Sequence, residues 1–323
     1  MKKSICATFL LVCILPSVML SFFDLKDSPG ITEPESITNT TVSTEPEEGN
    51  INKQISVNVL KHDKIVAMSL EEYVFCVVLA EMPVEFDEEA LKAQAVVART
   101  YTCKKLDDPK HKNADVCIDS ACCQAYMEAA AYLLSGGTNE DLNKIRLAVD
   151  STAGEVLKYD GELIEATYFS CSGGKTEDAA AVWGADVPYL QAVDSPGEEK
   201  ATHFTDTVRF SVKEFSNCLG QKFSGNPGKW IEHISYTEGG GVASIVLQGT
   251  SYSGTQIRQK LGLRSTAFVM TITGDTVTVT TKGFGHRVGM SQYGAEAMAV
   301  QGSDYREILS HYYIDTVLST LVS

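Results

Sequence analysis

Apolar and polar side chains alternate along Ile55-Ser-Val-Asn-Val-Leu60, the period-two pattern of a half-buried strand. Lys64 to Met68 reads as its hairpin partner across His62-Asp63. The period then lengthens. Tyr73, Val74, Val77 and Val78 fall on one helical stripe, and Ser69 with Glu72 has the spacing of a capping box that starts the helix. Pro83 forces that helix to stop near Met82. A second, alanine-rich helix runs from about Asp87 through Tyr101, and a third is expected over 121–135, ended by Gly136-Gly137.

Downstream the pattern is mostly that of strands. Glu155 to Tyr159 and Glu162 to Phe169 flank Asp160-Gly161, a strong two-residue hairpin signal. Ala243 to Gln248 and Thr276 to Thr280 read as further strands. Helices are expected from Gln292 to Gln301, ended by Gly302, and from Asp304 to Tyr313. Helices and strands are mixed without βαβ alternation, so the fold class expected is α+β, with antiparallel strands and a helical segment around Glu81.

The first 50 residues differ. Lys2 and Lys3 precede an apolar run from Ile5 to Phe23, about the length a bilayer requires. The lysines place the N-terminus inside and the rest outside. Residues 1–23 are therefore expected to be an uncleaved signal anchor, with a cleaved signal peptide as the alternative. Ser, Thr, Pro and Glu dominate from Ser28 to Asn50, so 24–50 reads as a disordered acidic spacer. The folded part is expected over 51–318, with room for a smaller subdomain at about 205–275. A net charge of −15 argues against nucleic acid as a partner.

Four constellations carry candidate chemistry. Glu81 lies on the apolar stripe at a helix end, a setting that favours the protonated carboxyl a general acid needs; the plainer reading is a helix-terminal carboxylate with a structural partner. Lys92 and Arg99 share a face of the second helix. Arg99 can bind a carboxylate or sugar hydroxyls, whereas Lys92 fits a surface pair with Glu88.

His111, Cys117, Cys122 and Cys123 offer the imidazole and thiolates that zinc prefers, and a compact sulfur-rich set points to one structural ion. A disulfide from Cys117 to Cys122 or Cys123 is the alternative. In Ser172-Gly173-Gly174 a strand runs into paired glycines, which suits close backbone approach to a substrate or simply a turn. Trp183 and Tyr189 offer aromatic surface of the kind sugar rings stack on, though Trp183 equally suits a core. Gly283 to Ala295 packs His286, Ser291, Gln292 and Tyr293 into a glycine-dense loop before a helix, a combination core packing rarely needs.

Three separated blocks together resemble the stage II sporulation protein D family. The first is Leu70-Glu-Glu-Tyr with Ala80-Glu81-Met82-Pro83 and Ala90 to Tyr101. The second is Phe169-Ser-Cys-Ser-Gly-Gly174 with Val182-Trp-Gly184 and Tyr189-Leu190. The third is Gly285-His-Arg-Val-Gly-Met-Ser-Gln-Tyr-Gly-Ala295. The His111, Cys117, Cys123 segment resembles a metal site in clostridial-type members, where a histidine stands in place of Cys122. Val97 and Cys171 stand where alanine and threonine are common.

The resemblance implies a membrane-anchored lytic transglycosylase with its catalytic part outside the cell. Its substrate would be peptide-free peptidoglycan strands, cleaved during engulfment of the forespore beside a cell-wall amidase and a membrane scaffold. Glu81 would be the catalytic residue, with Arg99, Ser172, Gly173, Gly174, His286, Ser291, Gln292 and Tyr293 on the substrate. The competing expectation is a glycan-binding module that stimulates the amidase; a zinc hydrolase at His111 and the cysteines is a third.

Overall fold

Val57 and Val59 are fully buried and alternate with the exposed Ser56 and Asn58, so strand β1 (Ser56–Lys61) lays one face on the core. It pairs antiparallel with β2 (Lys64–Ser69) across His62-Asp63, both with positive φ as a tight hairpin requires. The computed structural model describes residues 55–321. The expected anchor at 1–23 and spacer at 24–50 lie outside the described residues. Among those described, no helix is long and apolar enough to cross a membrane.

Helix α1 (Leu70–Glu81) starts at Ser69, whose hydroxyl accepts from Glu72 N–H. The reciprocal half of the expected capping box is not made; the Glu72 carboxylate instead accepts from Arg146 at 2.8 Å. The striped helix expected from the sequence is buried all round, because β1 and β2, helix α2 (Glu88–Asp107) and helix α4, described below, pack about it. Asp87 caps α2 through Glu89 N–H, and alanines 90, 93, 95 and 98, all fully buried, bring it close to α1.

The third helix is shorter than expected. Strand β3 (Val116–Cys117) runs parallel to β1, and only Ala129–Leu134 forms α3. Residues between them are irregular because their backbone is used elsewhere: Met127 N–H donates to Cys76 O and Ala125 N–H to Glu81. Helix α4 (Asn139–Ser151) carries a full Thr138–Asp141 capping box.

Strand β4 (Glu155–Tyr159) turns at Asp160-Gly161 into β5 (Glu162–Leu163), and β6 (Tyr168–Phe169) follows separately. Helix α5 spans Ala179–Trp183. Then come β7 (Thr205–Ser211), α6 (Val212–Leu219), β8 (Ile231–Tyr236), β9 (Val242–Leu247), β10 (Thr250–Ser253), α7 (Gly254–Leu261), β11 (Phe268–Thr273) and β12 (Thr276–Lys282). These form two antiparallel sheets, ordered β10-β9-β8 and β11-β12-β7. They enclose their own core around Phe215, Ile245, Ile257 and Val279, and β12 carries these sheets past residue 275.

The chain then returns to the first core. Strand β13 (Met290–Ser291) pairs parallel with β6, and helices α8 (Gln292–Val300) and α9 (Tyr305–Tyr312) pack on α2. Strand β14 (Val317–Thr320) closes against β4. The architecture is mixed α+β, with largely antiparallel strands.

Candidate active site

Glu81 ends α1, where Met82 turns extended ahead of Pro83 and frees the carboxylate from the helical ladder. It faces a cavity of about 300 Å3 whose lining includes Tyr101, Tyr168, Phe169, His286 and Gln292. Among the described residues, Glu81 is the one carboxylate in that lining. Three donors converge on it. Ala125 N–H lies 2.7 Å and the Tyr168 hydroxyl 3.1 Å from Oε1, and Gln292 Nε2 lies 3.4 Å from Oε2.

A second layer orients these donors. The Tyr168 hydroxyl lies 3.2 Å from Gln124 Oε1, and Gln124 Nε2 donates to Thr102 Oγ1 at 3.1 Å. Gln124 is 1 % exposed. Burial pushes the Tyr168 phenol well above its ordinary range, so it stays a neutral hydroxyl. Neither Tyr168 nor Gln124 stood out as a site residue in the sequence: Tyr168 reads there as strand and Gln124 as part of the helix expected over 121–135.

His286 lines the same cavity as an aromatic wall. Val288 N–H donates to its Nδ1 at 3.1 Å, so the neutral ring carries its hydrogen on Nε2, towards the Tyr168 backbone. Burial, aided by the Arg258 charge, holds the imidazole down at about 4. With Nδ1 engaged inside the protein, His286 meets the cavity as an aromatic wall.

Other predicted site residues support the cavity rather than line it. Ser172 is fully buried and donates to Glu198 through both N–H and Oγ; Gly173 N–H donates to the same carboxylate. Ser291 also donates to Glu198 and caps α8 by accepting from Gly294 N–H. Gly173 has φ +81°, and a Cβ there would meet Gly283 N at 2.9 Å, so the loop needs glycine to lie against its neighbour. Gly174 has φ +115° and open space beside it.

Tyr293 packs edge-on against Phe86, with ring centroids 5.1 Å apart. Arg99 is wholly buried. It donates to the Glu71 carboxylate from Nη2 at 2.6 Å and from Nε at 2.9 Å, and to the carbonyls of Glu155 and Val149. That lock replaces the expected substrate contact of Arg99. Lys92 pairs with Glu88 and Glu89 on the surface.

Glu198 is a site-supporting residue the sequence did not reveal. It is 1 % exposed and accepts from Ser172, Gly173, Ser195 and Ser291, so it pins the Ser-Gly-Gly loop to the start of α8. Its donors come from three separate segments, which leaves no local spacing to read. Arg287, with φ +70°, does similar work one layer out: it pairs with Glu177 at 3.0 Å and donates to the carbonyls of Ser172, Lys175 and Gly239.

The metal-type residues do come together. One ligand atom from each of His111, Cys117, Cys122 and Cys123 lies within 4.8 Å of the others. His111 Nε2 is 3.7 Å from Cys122 Sγ and 3.5 Å from Cys123 Sγ, and the two sulfurs are 3.9 Å apart. Four ligands at zinc–sulfur distances of about 2.3 Å would sit about 3.8 Å apart, a spacing that His111, Cys122 and Cys123 match, with Cys117 within 4.8 Å. The adjacent cysteines both reach the cluster because the chain turns tightly there, with both N–H groups donating to Asp119 O. No disulfide forms among the described cysteines. Burial pushes the Cys123 thiol up to about 12, a shift that a bound cation would oppose. Cys123 also lines the cavity, and Ala125, two residues on, holds Glu81.

A family profile described as Stage II sporulation protein matches residues 60–159. Stage II sporulation protein D of Bacillus subtilis (strain 168) is 38 % identical over 330 residues, covering 98 % of this chain and 93 % of the relative. The protein of that name from Bacillus amyloliquefaciens is 38 % identical over 313 residues, covering 94 % and 91 %. An amidase enhancer of Bacillus subtilis (strain 168) is 29 % identical over 293 residues, covering 74 % of this chain and 39 % of the relative.

Proposed function

The chain belongs to the stage II sporulation protein D family, and from that membership and the cavity at Glu81 we propose that it is a lytic transglycosylase of peptidoglycan. The observation that carries this reading is the single carboxylate in the cavity lining. Most glycosidases that use water place a second carboxylate across the sugar, either as nucleophile or as base. An intramolecular transfer needs one residue that serves first as acid and then as base.

Protonated Glu81 donates its hydrogen to the oxygen that links N-acetylmuramic acid to N-acetylglucosamine. The bond from that oxygen to the muramoyl C1 breaks, and the sugar gains oxocarbenium character. The muramoyl C6 hydroxyl then attacks C1 and yields its hydrogen to the Glu81 carboxylate. A 1,6-anhydro ring closes and Glu81 regains its proton. Gln292 and Ala125 N–H fix the carboxyl group, while Gly173 and Gly174 shape the adjoining loop.

Peptide-free strands are the substrate class proposed, acted on during engulfment beside a cell-wall amidase and a membrane scaffold. The N-terminal segment would hold the protein in the membrane with the site outside. One structural zinc ion at His111, Cys117, Cys122 and Cys123 would brace the segment that carries Ala125. A second reading has support from the amidase enhancer: the cavity binds glycan strands and stimulates an amidase without cutting them.

Incubating the purified protein with peptide-free glycan strands and analysing the new ends separates these readings. Anhydromuramoyl ends support the lytic transglycosylase. Reducing ends mean a hydrolase, and bound but uncut strands mean a binding module.

A further inference from the structure

We infer that Trp183 is the platform of an outer saccharide subsite, where a hexosamine ring of the strand stacks after leaving the Glu81 cavity; this rests on the glycan reading of that cavity. Trp183 is the last residue of α5, and its side chain is 46 % exposed. Its ring lies 5.5 Å from that of His286, centroid to centroid, tilted by 51°. His286 in turn meets Phe169 edge-on at 5.6 Å, and both line the cavity. An aromatic wall therefore continues from the Glu81 cavity out to the indole.

The cavity alone is too small for a polymer. At about 300 Å3 it sits at the low end for small-ligand sites, so a strand must run on beyond it. The continuation is aromatic and rigid. Asp178 caps α5 by accepting from Ala180 N–H, and Gly184 ends it in the left-handed conformation. Glu177 N–H donates to Arg287 O, which fastens the helix base to the loop that carries His286, and Ala179 N–H donates to Leu190 O, which ties it to the segment after the helix. A large aromatic face held this firmly loses little entropy when a ring stacks on it. Indole stacks on the C–H face of a hexopyranose without reading its hydroxyls, which suits a strand of alternating sugars.

The chain has two tryptophans, and the other is a built-in control. Trp230 is buried against Phe223, ring centroids 5.1 Å apart, its indole N–H donating to Ser224 O at 2.8 Å. A change in tryptophan emission on ligand binding thus reports Trp183.

The test titrates peptide-free glycan strands into the full chain carrying Glu81→Gln, following tryptophan emission, acrylamide quenching and strand co-sedimentation. Strands should shift the emission and shield one tryptophan from acrylamide. Trp183→Ala should raise KM for strands about ten-fold with kcat within about two-fold, and Trp183→Phe, which keeps an aromatic face, should recover part of that loss. A circular dichroism melt that matches the parent shows that the surface substitution has not disturbed the fold. Strands that co-sediment without changing emission or quenching overturn the subsite and leave the glycan reading standing. Strands that neither bind nor are cut overturn both.

Discussion

The Tyr168 hydroxyl lies 3.1 Å from Glu81 Oε1 and also stands 3.2 Å from Gln124 Oε1, so one hydrogen faces two acceptors. Gln124 cannot turn to relieve this. Its Nε2 donates to Thr102 Oγ1, whose own hydrogen goes to Ala98 O. When Glu81 carries the proton meant for the ligand, Tyr168 donates to Gln124 instead, and the two acceptors no longer compete for its hydrogen. When Glu81 is a carboxylate, Tyr168 turns its hydrogen back to it. Under the proposed mechanism the same pair would serve both halves of an acid-then-base reaction.

Tyr168→Phe removes this hinge while keeping the ring. kcat on glycan strands should fall about 10–100-fold with KM little changed, because the lost contact acts on the proton and not on the sugar. Leaving Gln124 Oε1 unpaired should also cost about 1–3 kcal/mol of stability. Steady-state kinetics and a thermal melt measure both; an unchanged kcat removes Tyr168 from the mechanism.

Glu198→Gln tests the pin between the Ser172 loop and α8. The substitution puts an amide N–H2 where four neighbouring residues send donors, inside a site 1 % exposed. Unfolding stability should drop by about 2–4 kcal/mol. A melt within about a degree of the parent would show that the loops hold together without it.

The elements flanking Glu81 were largely legible. β1, β2 and the start of α2 follow from alternation, turn chemistry and capping within a few residues of one another. Helix α1 was legible as a helix but not as a buried one, since the elements that cover its second side arrive from residues 88 to 151. The helix expected over 121–135 failed because its first half serves the cysteine cluster and Glu81. The second core was read thinly, although Ser211 with Glu214 and Ser253 with Gln256 are complete capping boxes visible in the sequence. Arg99 looked like a ligand-binding charge because Glu71, its partner, lies 28 residues away on a different helix.

His286 sets a pH dependence of stability. Its imidazole is held down at about 4 against an ordinary 6.5, so on acidification the unfolded chain binds the proton first. This contribution is intact above about pH 6.5 and is lost as pH falls from there to about 4. His286→Phe should flatten the fall in melting temperature across that window. Parallel pH curves for parent and variant would show that the imidazole does not titrate in this way.

The cysteine cluster should hold about one zinc ion per chain by elemental analysis. Cys117→Ser and Cys123→Ser should each release it and lower the melting temperature, since metal binding and folding of such a site are coupled. Chelation should also reduce strand cleavage, because Ala125, which holds Glu81, lies two residues after Cys123. A full complement of activity and stability in metal-free protein would contradict this.

The most direct test compares parent and Glu81→Gln on peptide-free glycan strands, scoring anhydromuramoyl ends and strand co-sedimentation together. The substitution is nearly isosteric and keeps a partner for Ala125 N–H, so binding should stay within about two-fold. Anhydromuramoyl ends should fall at least about 10²–10⁴-fold, the span of a lost general acid and base. Ends produced by the variant at a rate near that of the parent would contradict the role of Glu81.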